Sequence, residues 1–288
     1  MSMTQAAGGA TVRRLLLGSQ LRRLREARGV SREEAGYSIR ASESKISRME
    51  LGRVGFKERD VADLLTLYGV EAEQERASVL GLVRDANATS WWHAYGDVLP
   101  GWFQTYLGLE EAASDIRSYE VQFVHGLLQT ADYARAVITH GGHVTEPGEV
   151  ERRVEVRLRR QQVLTAGRPP RLLAVLDEAA LRRPWGGPEL MRAQIDRLLE
   201  LTDLPSVVLQ VMPLGFGGLR AEGGAFSVLG FAEPELADVV YLEQFTTALY
   251  LDKPAEVAEY AGAMDGLAAD GLSPDRTREL LRSVRQEL

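Results

Sequence analysis

Glu43, Ser44, Ser47 and Arg48 place a carboxylate, two hydroxyls and a guanidinium within six consecutive positions. A guanidinium can fork to O6 and N7 of guanine, a carboxylate can accept from the cytosine amino group, and a hydroxyl can donate or accept. Other residues could carry different chemistry. His140 and His143, spaced H-G-G-H, could ligate a metal, but two glycines make this a loop and helical H-x-x-x-H spacing is absent. Asp177 and Glu178 could serve as acid and base. Adjacent acids where a strand meets a helix more often form a cap or an ion pair, here with Arg182 or Arg183. Gly215, Gly217 and Gly218 follow a strand, yet Gly223 and Gly224 lead into another strand, so a dinucleotide loop lacks its helix. There is no G-x-S-x-G, no P-loop and no cysteine, which removes disulfides, thiolate zinc sites and cysteine nucleophiles. The expectation is a protein that is not an enzyme and uses neither cofactor nor metal.

The elements that would position the first group lie in residues 31–52, SREEAGYSIRASESKISRMELG. Ser31 and Ser42 each stand as an N-cap, before Arg32 to Ile39 and before Glu43 to Leu51, with Glu33, Glu34 and Glu43 in the positive first turns. Gly52 ends the second helix. Ala35 and Ile39, then Ile46 and Met49, recur at helical spacing and face inward, which leaves Glu43, Ser44, Ser47 and Arg48 outside. Two capped helices around so short a link have the layout of a DNA-reading helix-turn-helix.

Charge distribution agrees with that layout. The net charge is −7, but residues 1–59 carry a balance of +7 and the remainder −14, so the positive charge is local to the motif. No run of about 18 apolar residues occurs and no signal-peptide core precedes Arg13 and Arg14. A cytoplasmic protein without a membrane partner is expected.

Along the chain, residues 1–14 read as a disordered arm and 15–87 as an all-α domain of five helices. The first of these, Leu17 to Arg28, packs behind the motif. Residues 88–101, with Trp91, Trp92, His93 and Tyr95, read as an aromatic linker. Residues 102–288 read as a mixed α/β domain. A helix with Leu107, Leu109, Ala112 and Ile116 on its apolar side is followed by a β-like run from Tyr119 to Val124. Thr130 caps a helix to Ile138, and Glu149 to Leu164 is a charged helix whose basic face at 153–162 is expected in solvent. Strands are expected at 172–176, 207–212, 225–231, 239–243 and 248–251, with two final helices.

The block QLRRLREARGVSREEAGYSIRASESKISRMELGR resembles the phage-repressor-like (XRE) helix-turn-helix family. That resemblance implies a five-helix DNA-binding domain whose third helix lies in the major groove. It implies base contacts from Glu43, Ser44 and Arg48, phosphate contacts from Ser31, Arg32, Ser42, Lys45 and Arg53, and a bracing ion pair between Arg25 and Glu50. The chain departs from the family at Ala35 and Gly36, where leucine and alanine are usual, and at Arg40, where the turn usually has glycine. Gly36 costs about 1 kcal/mol of helix propensity, which predicts looser packing of the second helix.

WWHAYGDVLPGWFQTYLGLEEAASDIRSYE, FVHGLLQTADYARAVI, RVEVRLRRQQVL, LDEAALRRPWGGPELMRAQIDRLLEL and VVYLEQFTTALYLDKPAEV resemble the effector-type domain of actinobacterial regulators described as toxin-antitoxin-like. His125 stands where those relatives usually have proline. The resemblance implies a transcription regulator that binds double-stranded DNA and is often paired with a small acidic partner protein. The expected function is sequence-specific regulation as a homodimer that receives a protein or small-molecule signal. The alternative is an antitoxin-like module that mainly sequesters its partner.

Overall fold

The computed structural model describes residues 3–87, 90–141, 146, 148–216 and 223–288, with side chains from residue 11 onward. It forms two compact units, Met1–His93 with Ala232–Leu236, and Ala94–Phe231 with Ala237–Leu288. Helices make up the first, and helices interleaved with a six-stranded sheet make up the second.

In the first unit α1 (Met3–Ala27), α2 (Arg32–Ser38), α3 (Glu43–Glu50), α4 (Glu58–Leu67) and α5 (Glu73–Ala86) enclose Leu17, Leu21, Ile46, Met49, Val61 and Leu65. The arm expected over residues 1–14 is helical instead, from Met3 onward. The physical reason is visible at its end, where Thr11 is buried and the Arg14 guanidinium donates to the Ala86 carbonyl at 3.0 Å. Residues 1 and 2 of that arm lie outside the described residues.

Two glycines set how closely the helices approach. A Cβ at Gly18 would stand 2.5 Å from the carbonyl oxygens of Met49 and Glu50, so α1 runs directly against the end of α3. A Cβ at Gly36 would meet the Ala41 carbonyl oxygen at 2.8 Å, and that glycine's own carbonyl accepts from Ala41 N at 2.8 Å. The looser packing expected at Gly36 is therefore corrected: missing side-chain volume lets the turn close onto α2.

In the second unit α6 (Gly101–Ala112) leads into β1 (Asp115–Glu120). Ile116, expected on the helix, lies in this strand, because α6 stops at Ala112 and Ile116 pairs with Leu172 and Leu229 on either side. The β-like run expected from Tyr119 to Val124 thus begins earlier and ends at Glu120. The chain continues through α7 (Ala131–His140), α8 (Glu149–Arg160), β2 (Arg171–Asp177), α9 (Glu178–Arg182), α10 (Pro188–Leu201) and β3 (Val207–Met212). It ends with β4 (Phe226–Gly230), β5 (Val239–Glu243), β6 (Ala248–Leu251), α11 (Pro254–Asp270) and α12 (Pro274–Glu287).

Strand order is β3-β2-β1-β4-β5-β6. β1 to β3 are parallel, which requires the long helical crossovers between them, and β4 to β6 form an antiparallel meander. Since β1 and β5 are each antiparallel to β4, they point the same way and end at the same edge of the sheet. One face packs Tyr119, Val175, Val228 and Val240 against Met264 and Leu267 of α11. The opposite face meets α6, where the Tyr106 and Tyr241 rings lie 4.2 Å apart.

Candidate nucleic-acid interface

The geometry of α3 starts at its cap. Ser42 Oγ accepts from Lys45 N at 3.2 Å, and Ile46, Met49 and Glu50 are buried. Glu43, Ser44 and Arg48 are exposed on the other side, with Arg48 Nε donating to the Ser44 carbonyl at 3.3 Å. The three side chains expected to touch bases therefore share one solvent-facing surface. α2 begins with a complete capping box, Glu34 N to Ser31 Oγ at 3.1 Å and Ser31 N to Glu34 Oε2 at 2.8 Å. Both ends of the turn that sets α3 against α2 are thus held locally.

Behind α3, Arg25 forks onto Glu50, Nε to Oε1 at 2.5 Å and Nη2 to Oε2 at 3.1 Å, and also donates to the Val30 carbonyl at 2.9 Å. Arg25 is 7% and Glu50 4% exposed, and the hydrogen bond to Glu50 holds the guanidinium above its ordinary pKa. The Tyr68 hydroxyl is also buried here, and burial with the nearby Glu50 charge raises its pKa. A fixed carboxylate at the last residue of α3 fixes the helix's rotation and depth.

Two side chains expected on phosphates are turned to carboxylates. Arg32 Nε donates to Glu50 Oε2 at 3.0 Å, and Lys45 Nζ reaches Asp60 Oδ2 at 2.6 Å. Ser31 and Ser42 serve as caps, and Arg53 N donates to the Arg48 carbonyl at 2.8 Å. Arg40 was noted in the sequence only as a departure. Its φ of 55° is the left-handed conformation for which glycine is usual, and its side chain is exposed in the turn between α2 and α3. A required glycine replaced by arginine is the signal that could have marked it. Tyr37, 88% exposed on the outer side of α2, carried no signal at all.

The second unit was read for chemistry as well. Asp177 Oδ1 caps α9 by accepting from Ala179 N at 2.8 Å, and Glu178 pairs with Arg182 at 2.6 Å. His140 Nδ1 lies 2.7 Å from the Ala136 carbonyl, and His143 lies outside the described residues. Among the described residues no three His, Asp or Glu side chains gather as a metal site. Gly217 and Gly218 also lie outside them.

The basic face expected at residues 153–162 is corrected. Arg160 is buried and forks onto Glu110, at 2.8 and 2.7 Å, while stacking over Phe103 and Tyr106. Arg157 turns inward to Gln129 Oε1 at 3.0 Å, and Gln161 donates to the carbonyls of Gly126 and Gln129. The helix was read as solvated because charge alone was counted, whereas its partners come from α6 and the HGLLQT segment. His125 is buried with φ −51°, close to the angle proline imposes, and burial lowers its pKa to about 4.

A helix-turn-helix domain model matches residues 16–79, which span α2 and α3. Among the described residues no helix is long and apolar enough to cross a membrane. Comparison with curated proteins and with solved structures gave no match. A model described as a domain of unknown function (DUF5753) matches residues 103–283, more than half of the chain, and the chain belongs to that family with a helix-turn-helix domain ahead of it.

Proposed function

We propose that the protein is a sequence-specific DNA-binding transcription regulator that acts as a homodimer. α3 enters the major groove and the second unit receives a protein or small-molecule signal. The observation that carries this reading is the division of α3: Glu43, Ser44 and Arg48 face solvent while Glu50 is clamped from behind by Arg25 and Arg32. Arg48 reads guanine, Glu43 a cytosine amino group, and Ser44 either partner. Ser31, Ser42, Arg53 and the exposed Arg40 follow the backbone, with Arg32 and Lys45 contributing when a phosphate competes for them. Dimerisation follows from energetics, since three base contacts at about 1–3 kcal/mol each do not single out a genomic site. The test is fluorescence anisotropy on the chain's own promoter fragment across a salt series. Arg48→Ala should narrow the gap between specific and competitor DNA. Arg53→Ala should weaken both and reduce the salt slope by about 1. Equal curves for all three proteins would refute the reading.

The resemblance to regulators with a small acidic partner protein suggests sequestration as the rival task. Arg157 and Arg160, two of the basic residues of α8 that such an acidic partner could use, turn inward to Gln129 and Glu110.

A further inference from the structure

Tyr37 stands 88% exposed on α2, with no hydrogen-bond or ring partner among the described residues. A single exposed aromatic side chain is ordinary on a protein surface, but this one borders a cleft. The cleft measures about 470 Å³ and is lined by Val30, Glu33, Glu34, Tyr37, Ser38 and Leu67, all of the first unit. Helical spacing builds its α2 wall. Glu33 and Tyr37 are four residues apart, as are Glu34 and Ser38, so the four side chains share one side of the helix. Val30, just ahead of α2, and Leu67, at the end of α4, supply an apolar floor, and both pack against the core beneath.

The charge of this cleft is opposite to that of its surroundings. Its lining holds two carboxylates and no arginine or lysine, within a stretch, residues 1–59, whose balance is +7. Glu34 is held in place by the bonds it accepts from Ser31, from N at 2.8 Å and from Oγ at 2.9 Å. The same bonds keep its carboxyl below the ordinary carboxylate range, so it is charged at neutral pH. Glu33 is exposed and forms no salt bridge among the described residues. Two carboxylates repel phosphates, so the cleft does not continue a nucleic-acid surface. They attract a cation, and the face of the Tyr37 ring adds to that attraction. An exposed aromatic anchor beside an apolar floor and fixed charges is a common centre of protein–protein contacts.

We infer that this cleft docks a basic segment of a partner protein. An arginine or lysine of the segment lies over the Tyr37 ring beside Glu33 and Glu34, and a neighbouring apolar side chain covers Val30 and Leu67. The segment is opposite in charge to the small acidic protein of the rival reading, which these carboxylates repel. Glu43, Ser44 and Arg48 are not part of the cleft, and binding here does not depend on the DNA-reading function.

The test is selection of phage-displayed random dodecapeptides on the immobilised full chain, without DNA, with Tyr37→Ala as the counter-target. Peptides retained by the native chain should share an arginine or lysine close to an apolar residue. A synthetic copy of an enriched peptide should bind Tyr37→Ala and Glu33→Lys about tenfold more weakly, and should bind the native chain less tightly as salt rises. Both substitutions lie at exposed helix positions and leave the core intact, so promoter binding by Tyr37→Ala should stay within about twofold of native. The inference is overturned if no peptide family is enriched, if the enriched peptides are acidic or wholly apolar, or if they bind Tyr37→Ala as well as the native chain. It is also overturned if Tyr37→Ala weakens promoter binding as Arg53→Ala does, which would make Tyr37 a DNA contact. Peptide binding by a native chain that binds no DNA would overturn the regulator reading alone.

Discussion

Each unit contains one buried arginine forked onto one buried glutamate, and the two pairs do different work. Arg25 and Glu50 lie under a helix whose other side is polar and open, and a second arginine, Arg32, shares the same carboxylate. Arg160 and Glu110 lie under aromatic rings, with neither partner more than a few percent exposed at its side chain. The first pair orients a surface, whereas the second joins α6 to α8 inside a core. A buried pair gains little net energy over an apolar contact, but one partner left alone is heavily penalised. The difference should therefore appear when each pair is broken.

The largest loss is expected for Arg160→Leu, which strands Glu110 and should cost about 3–5 kcal/mol by denaturant titration. The doubly apolar Arg160→Leu/Glu110→Leu should recover much of it. Glu50→Gln should cost less, about 2 kcal/mol, because the amide oxygen still accepts from Arg25, which also donates to the Val30 carbonyl, and Arg32 is a third exposed and can turn to water. It should nevertheless reduce specific DNA binding more than its stability loss explains. An equal stability loss in the two variants would erase the proposed distinction.

A pH series sharpens the contrast between the units. Burial raises Glu120 to about 7 despite Ser118, Arg157 and Arg160, with Glu243 of β5 adding to the rise. Its charge also reaches Tyr106 and Tyr133 from α6 and α7. The folded form thus favours the protonated acid. Its contribution is complete below the ordinary carboxylate range near pH 4.5, declines as pH rises, and is lost above about 7. A change in stability on the order of 3 kcal/mol across that window should vanish in Glu120→Gln. The smallest effect is expected at Arg40→Gly, which relieves a left-handed residue and should stabilise the chain by up to about 1 kcal/mol.

What could be read from residues alone followed the range of the interactions. Caps at Ser31, Ser42 and Thr130 are local, and each accepts the expected backbone N–H. The strands from β2 onward were visible as apolar runs between turns. β1 was displaced because Ile116 and Leu109 fit one helical stripe, and only pairing on both sides makes Ile116 a strand residue. Arg25 with Glu50 was reachable through a family pattern, although 25 positions separate them. Arg160 with Glu110 had no such pattern, and a charged helix looked solvated. Glu120 and Glu243 fall in one row only through their pairing register with β4, and an apolar run marks a strand without fixing its register.

The account turns on whether α3 reads base edges. Selection of bound sequences from a random DNA pool, run in parallel with the native chain and with Arg48→Ala, tests this most directly. The native chain should enrich two half-sites related by a two-fold axis, each with one strongly preferred guanine. Arg48→Ala should retain the spacing and lose preference at that position alone. Enrichment of the same motif by both proteins, or of none by the native chain, would contradict it.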